Sequence, residues 1–120
     1  MPGEVRALHL LIKYSGSRNP ESRRTNQSTK GVTEEAAVTE LKTYEAKLKG
    51  LKGQELVDAF AAASQARSDC GSFKSGGDLG MFGPGQMQKP FEDATFALEV
   101  GQMSGIVHSD SGFHLILRIA

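Results

Sequence analysis

With a single cysteine, Cys70, the chain cannot close an internal disulfide, and its opening, Met1-Pro2-Gly3-Glu4-Val5-Arg6, has no apolar signal region. Both absences favour a reducing setting, so a cytoplasmic and nuclear location is expected. No apolar run approaches the length of a membrane span, and no membrane partner is expected. Neither sign of charge is in excess: 14 Lys and Arg balance 14 Asp and Glu. No global field therefore draws the chain to nucleic acid, and partners must be read from local patches. His9, Cys70, His108 and His114 lack metal-ligand spacing, and neither a metal nor another cofactor is expected. At 120 residues the chain can build one core without metal or disulfides, hence one domain, 1–120, with a short tail at 1–4.

Glycine is abundant and concentrated: five of the 14 lie between residues 76 and 91, beside large apolar side chains. Gly76-Gly77 and Gly83-Pro84-Gly85 read as turns around a short strand, Asp78 to Phe82. Pro90 suits the first turn of a helix, where Glu92 and Asp93 complement the positive end of the dipole. Strand, turn and helix hold Leu79, Met87 and Phe91 close together. Core packing is the plain reading of such a trio, but Cys70 lies just upstream, and His9 and His114 sit in strands at the two ends of the chain.

In chain order, Glu4 to Lys13 is a leucine-rich run that ends in a polar stretch, which predicts a buried strand. Alternation places Ala7, His9, Leu11 and Lys13 on one face, so a histidine and a lysine share it with apolar residues. Residues 14–32 hold almost nothing apolar and form a long basic loop, with Arg18, Arg23 and Arg24 following Lys13. A solvated loop is one reading. An anion site is the sharper one, because guanidinium forks match phosphate geometry and lysine adds a point charge.

Thr33 is set to cap a helix in which Ala37, Leu41, Tyr44, Leu48 and Leu51 recur at intervals of four, three, four and three, with Gly50 and Gly53 as its stop signals. A second helix, about Gln54 to Ser64, turns Leu56, Phe60 and Ala63 inward. Arg67 to Ser72 has no apolar periodicity and reads as a loop carrying Cys70. A free cysteine is commonly a buried hydrophobe, a reading weakened here by Asp, Gly and Ser neighbours. After the Pro90 helix, closed by Leu98 and Gly101, Ile106 to His108 and Phe113 to Ile119 form strands joined by the four residues Ser109-Asp110-Ser111-Gly112 as a hairpin. The sum is an α+β domain. Terminal strands this apolar make poor edges, so they are expected side by side at the sheet centre, with His9 near His114.

Five segments resemble, in order, the parvulin peptidyl-prolyl isomerases of the phospho-dependent Pin type: His9-Leu10-Leu11-Ile12-Lys13, Ser68-Asp69-Cys70, Gly76-Gly77-Asp78-Leu79-Gly80, Gly85-Gln86-Met87-Gln88-Lys89-Pro90-Phe91-Glu92 and Asp110-Ser111-Gly112-Phe113-His114. The resemblance runs from Val5 to Ala120. It implies a four-stranded antiparallel sheet surrounded by about four helices, an FKBP-like architecture with one short helix near Ser72 to Ser75. It further implies a monomeric isomerase acting on phosphorylated Ser/Thr-Pro proteins of cell-cycle or signalling regulation. Residue by residue, the catalytic groups fall on His9, Cys70, His114, Ser111 and Gln88, with Ser109 nearby. The proline pocket falls on Leu79, Met87 and Phe91, and the phosphate-binding residues on Lys13 and Arg18. The second of the family's paired loop arginines falls on Asn19, so the cluster is thinner unless Arg23 or Arg24 folds back. In starting at the catalytic domain the chain is similar to the single-domain members without a WW module.

Such a site breaks no bond. Resonance makes rotation about an X-Pro bond cost roughly 18–20 kcal/mol, and the protein has only to bind the twisted amide better than either planar form. The resemblance implies that Leu79, Met87 and Phe91 hold the proline ring while Gln88 or a backbone group steadies the carbonyl. His9 and His114, hydrogen-bonded to each other and to Ser111, would set the polarity of the pocket, and Cys70 would tune it. Two other classes use the same residues. A cysteine hydrolase would take Cys70 as nucleophile with a histidine base, but no nucleophile-turn signature accompanies it. A non-catalytic phosphoSer/Thr-Pro-binding module differs only in lacking turnover.

Overall fold

In the computed structural model, which describes residues 3–120 and leaves the first two positions of the expected 1–4 tail outside the described residues, strand β1 (Val5–Ile12) is an interior strand of the sheet. The others are β2 (Asp78–Phe82), β3 (Val107–Ser109) and β4 (Gly112–Arg118), all antiparallel in the order β2-β1-β4-β3. Burial explains that order. Every β1 residue but Arg6 is buried, and β4 is buried from Gly112 to Leu117, so both strands take partners on each side. Their register sets Leu11 opposite His114 and His9 opposite Ile116, which brings the two histidines together diagonally on one face, as the terminal strands led us to expect.

Three α-helices cover this sheet: α1 (Glu34–Leu48), α2 (Gly53–Arg67) and α3 (Lys89–Ala97). Thr33 caps α1, its hydroxyl accepting the Ala36 N–H at 3.1 Å. Ala37 and Leu41 of α1 and Leu56 and Phe60 of α2 pack on Leu8, Leu10, Ile12, Leu115 and Leu117. On the opposite face Phe91 of α3 and the following Leu98 pack on Val5, Ala7, Phe82 and Ile116. The expected fourth helix is a 3-10 turn, Gly71–Ser75.

Several boundaries differ from expectation for identifiable reasons. Helix α2 runs past Ser64 to Arg67, since Gln65 and Ala66 favour helix and Arg67 binds Glu40 of α1 through Nη2 at 2.9 Å. Ser64 rather than Ala63 faces the sheet, because its hydroxyl donates to the His9 carbonyl at 3.1 Å and so satisfies a buried polar pair. The β3–β4 connection is tighter than four residues: Ser109 pairs with Gly112, leaving Asp110 and Ser111 as the turn. The basic loop is tied down by backbone bonds, among them Ser15 N–H to Val32 O at 2.8 Å, Arg18 N–H to Asp110 O at 2.7 Å and Arg23 N–H to Asp69 O at 2.9 Å.

Candidate active site

The face of the sheet that carries His9 and His114 is closed below by Phe91, the first large apolar side chain of α3. All three are only 4% exposed. Phe91 meets the His9 ring edge-on at 5.4 Å and the His114 ring at 5.0 Å, while the two imidazoles stack at 5.2 Å with 23° between planes. Gly77 makes room beside them: it and the preceding Gly76 turn at positive φ, and a Cβ at Gly77 would lie 2.3 Å from the His9 carbonyl oxygen. That close approach lets Gly77 accept the His9 N–H at 2.9 Å and brings the following strand, with Leu79, to the edge of the pocket.

A chain of hydrogen bonds crosses the floor. His9 Nδ1 lies 3.0 Å from His114 Nδ1, His9 Nε2 lies 3.1 Å from Ser72 Oγ, and His114 Nε2 lies 2.6 Å from Ser109 Oγ. Burial, and then the charges of His9 and His108, hold His114 well below the ordinary imidazole range. Burial pushes the Cys70 thiol up, but the hydrogen bonding and charge of His9, with the hydroxyl and N–H of Ser72, outweigh it and bring Cys70 down to about 6. Of the two facing Nδ1 atoms of His9 and His114 one donates and the other accepts, and the Ser109 oxygen also takes the Ser111 N–H at 3.2 Å.

Above the floor is a cavity of about 170 Å³. The walls bring together Leu79, Met87, Gln88, Cys70, Ser109 and Ser111, all of them expected, with Leu11 added. Two expected contacts are corrected. Ser109, not Ser111, binds His114, because the tight turn sends the Ser111 hydroxyl to the rim. There Gln88 donates from Nε2 to Ser111 Oγ at 2.8 Å and accepts the Asp110 N–H on Oε1 at 2.7 Å. The Gln88 amide is therefore engaged with the hairpin, and it fixes the rim instead of standing free for a carbonyl.

Lys13 and Arg18 lie in a second, larger cavity of about 560 Å³, which shares Leu11, Cys70, Leu79 and Ser111 with the first. Lys13 is 6% exposed, and its ammonium donates to the Glu21 carbonyl at 2.8 Å. Burial and then the charge of Arg23 lower its pKa. Asn19 and Arg23 line the same cavity, and Asp78 on its wall is already paired with Arg6 through Arg6 Nε at 3.1 Å. Among the described residues no group of three His, Cys, Asp or Glu is placed to hold a metal ion.

Known proteins share this arrangement of strands and helices. Residues 9–120 match the family described as "Rotamase: PPIC-type PPIASE domain". The chain belongs to the PPIC-type peptidyl-prolyl isomerases, the parvulins. It is 47% identical over 118 residues to the peptidyl-prolyl cis-trans isomerase ESS1 of Saccharomyces cerevisiae, covering 98% of this chain and 66% of that protein. With the isomerase Pin1 of Malus domestica it shares 50% over 117 residues, covering 96% and 93%. The solution structure of TbPIN1 superposes with a TM-score of 0.85 at 50% identity over the whole of both chains. In this parvulin the residue that sequence reasoning missed outright is Ser72. It lies in a 3-10 turn with no periodic signal, and only the Ser-rich run after Cys70 hints at a hydroxyl near the histidines.

Proposed function

We propose that this parvulin domain isomerises phosphoSer-Pro and phosphoThr-Pro bonds by non-covalent stabilisation of the twisted amide. The observation that carries the reading is the shared wall: a small apolar cup and a cationic cavity meet at Leu11, Cys70, Leu79 and Ser111. A proline seated in the first would set the residue before it in front of the second. Its phosphate would face Lys13 and Arg18, whose donors suit phosphate oxygens.

In this mechanism Leu79, Met87 and Phe91 immobilise the pyrrolidine ring, so that the acyl side of the bond turns against a fixed axis. The cup excludes water from an amide that is losing its resonance, and the less polar surroundings suit the twisted form better than the planar one. Every tenfold of acceleration corresponds to about 1.4 kcal/mol of preference for that form. His9 and His114 hold the floor in one hydrogen-bonded state, and Cys70 contributes negative character beside it. No nucleophile is needed. Partners under this reading are phosphorylated Ser/Thr-Pro proteins, met by a monomer in a reducing cytoplasmic or nuclear setting.

The test is kcat/KM on paired peptides that differ only in phosphorylation of the Ser before Pro. The proposal expects turnover of both and a clear preference for the phosphorylated one; equal rates would remove the phosphate from the reading and leave a general prolyl isomerase.

A further inference from the structure

We propose that Arg23 is the second arginine of the anion site, standing in for the neutral Asn19, and that it sets the preference for a phosphorylated residue before proline. The inference rests on the phosphopeptide reading above and names a specificity residue within it.

The position of Arg23 is fixed by its backbone. Its N–H donates to the Asp69 carbonyl at 2.9 Å, immediately before Cys70, so this point of the loop is fastened to the segment that borders both cavities. The turn around it is closed by Asn26 N–H to Ser22 O at 2.8 Å, with Asn26 at φ +60°, and by Ser22 N–H to Gln27 O at 2.9 Å. Buried Ser22 adds its hydroxyl, which accepts the Arg24 N–H at 3.2 Å and the Thr25 N–H at 3.3 Å. A residue held in this way loses little further freedom when its side chain meets a ligand.

The side chain is available. Among the described residues the guanidinium of Arg23 makes no ion pair or hydrogen bond, and the same holds for Arg18, whereas Arg6 and Arg67 are paired with carboxylates. Arg24 differs: it does not line the cavity, and its Nε is buried without a partner. Nearby carboxylates are mostly committed, Asp78 to Arg6 and Asp69 to Arg67 and the Lys13 N–H. Exposed Glu21 offers its carbonyl to Lys13 and is not on the cavity wall. Lys13, Arg18 and Arg23 thus face one cavity in which Asp78 is already paired and Cys70 is the one other acidic group on the wall, in a chain whose formal charge is zero. Cations left close together in this way suit a dianion better than they suit each other.

The experiment compares the ratio of kcat/KM for phosphorylated over plain peptide in the wild type, Arg23→Ala, Arg24→Ala and the double variant Asn19→Arg/Arg23→Ala. Both peptides are read on the same sample, so the ratio is independent of the folded fraction. Arg23→Ala is expected to lower it about tenfold or more, the effect of losing one hydrogen bond to a charged group. Arg24→Ala should leave the ratio alone, and Asn19→Arg should restore part of it. A wild-type preference that survives Arg23→Ala overturns the assignment of Arg23 alone. Absence of any preference in the wild type overturns the phosphopeptide reading and this assignment with it. Titration of inorganic phosphate, followed by the guanidinium NMR signals, should shift Arg23 in the wild type; shifts at Arg24 instead would also overturn it.

Discussion

The apolar cup and the cationic cavity share a wall, yet they are held in place by different forces. The cup is part of the core. Phe91 packs with Phe82 and Ile116, and His9 and His114 come from the two inner strands of the sheet. The cavity is made by a loop whose backbone is hydrogen-bonded at intervals while the Arg18 and Arg23 side chains stand in water. Damage to the cup should therefore lower stability and turnover on every substrate, and damage to the cavity should change only which substrate is preferred.

Phe91→Ala breaks this comparison most severely. Removing a ring that touches both histidines is expected to cost about 3–5 kcal/mol in denaturant unfolding and to lower turnover on plain and phosphorylated peptides alike. A loss under about 1 kcal/mol would mean that the cup is not part of the core.

Next in size is the cavity. Lys13→Ala/Arg18→Ala should erase most of the phosphate preference, at about 1.5–3 kcal/mol for each hydrogen bond lost, toward the lower end because Arg18 is exposed. Added salt should mimic part of that loss. Lys13 also grips the Glu21 carbonyl, so some loosening of the loop is expected, visible as faster amide exchange at Glu21 and Ser22.

Cys70 lies where the two regions meet and sharpens the comparison through pH. Its folded value of about 6 is below the ordinary 9.0, so between these limits the unfolded chain binds a proton that the folded one does not, and stability should rise with pH across that window. His114, lowered by burial, acts in the same direction below 6.5. Cys70→Ser should flatten the upper slope and leave the lower one, as thermal unfolding between pH 5 and 9 would record. The same variant should keep part of the activity, since rotation needs no covalent intermediate. A substrate adduct trapped on Cys70 would restore the hydrolase class.

The smallest expected effect is a control in the scaffold. Thr33→Ala removes the cap of α1 and should cost about 1 kcal/mol of stability with no change in phosphate preference.

The glycine-flanked strand Asp78–Phe82 was legible because its turn residues punctuate it on both sides, and the pairing of the end strands followed from their apolar content. The histidine pair came with that pairing. Less legible were features set by direction and not by pattern. Whether Ser109 or Ser111 meets His114 depends on the number of residues in the turn, and composition alone does not supply it. Ser64 looked less suited to the core than Ala63 until its bond to the His9 carbonyl was seen. Gln88 has the same chemistry free or clamped, and only its contacts with Asp110 and Ser111 distinguish the two.

Two-dimensional exchange NMR on a phosphoSer-Pro peptide with a catalytic amount of this protein tests the central claim most directly. Uncatalysed interconversion takes tens to hundreds of seconds, so without catalysis no cis/trans cross-peaks are expected at sub-second mixing times. The account predicts that such cross-peaks appear with the folded protein, and more weakly with the unphosphorylated peptide. Peptide signals that shift on binding while cis and trans remain unexchanged would contradict it and identify a phosphopeptide-binding module without turnover.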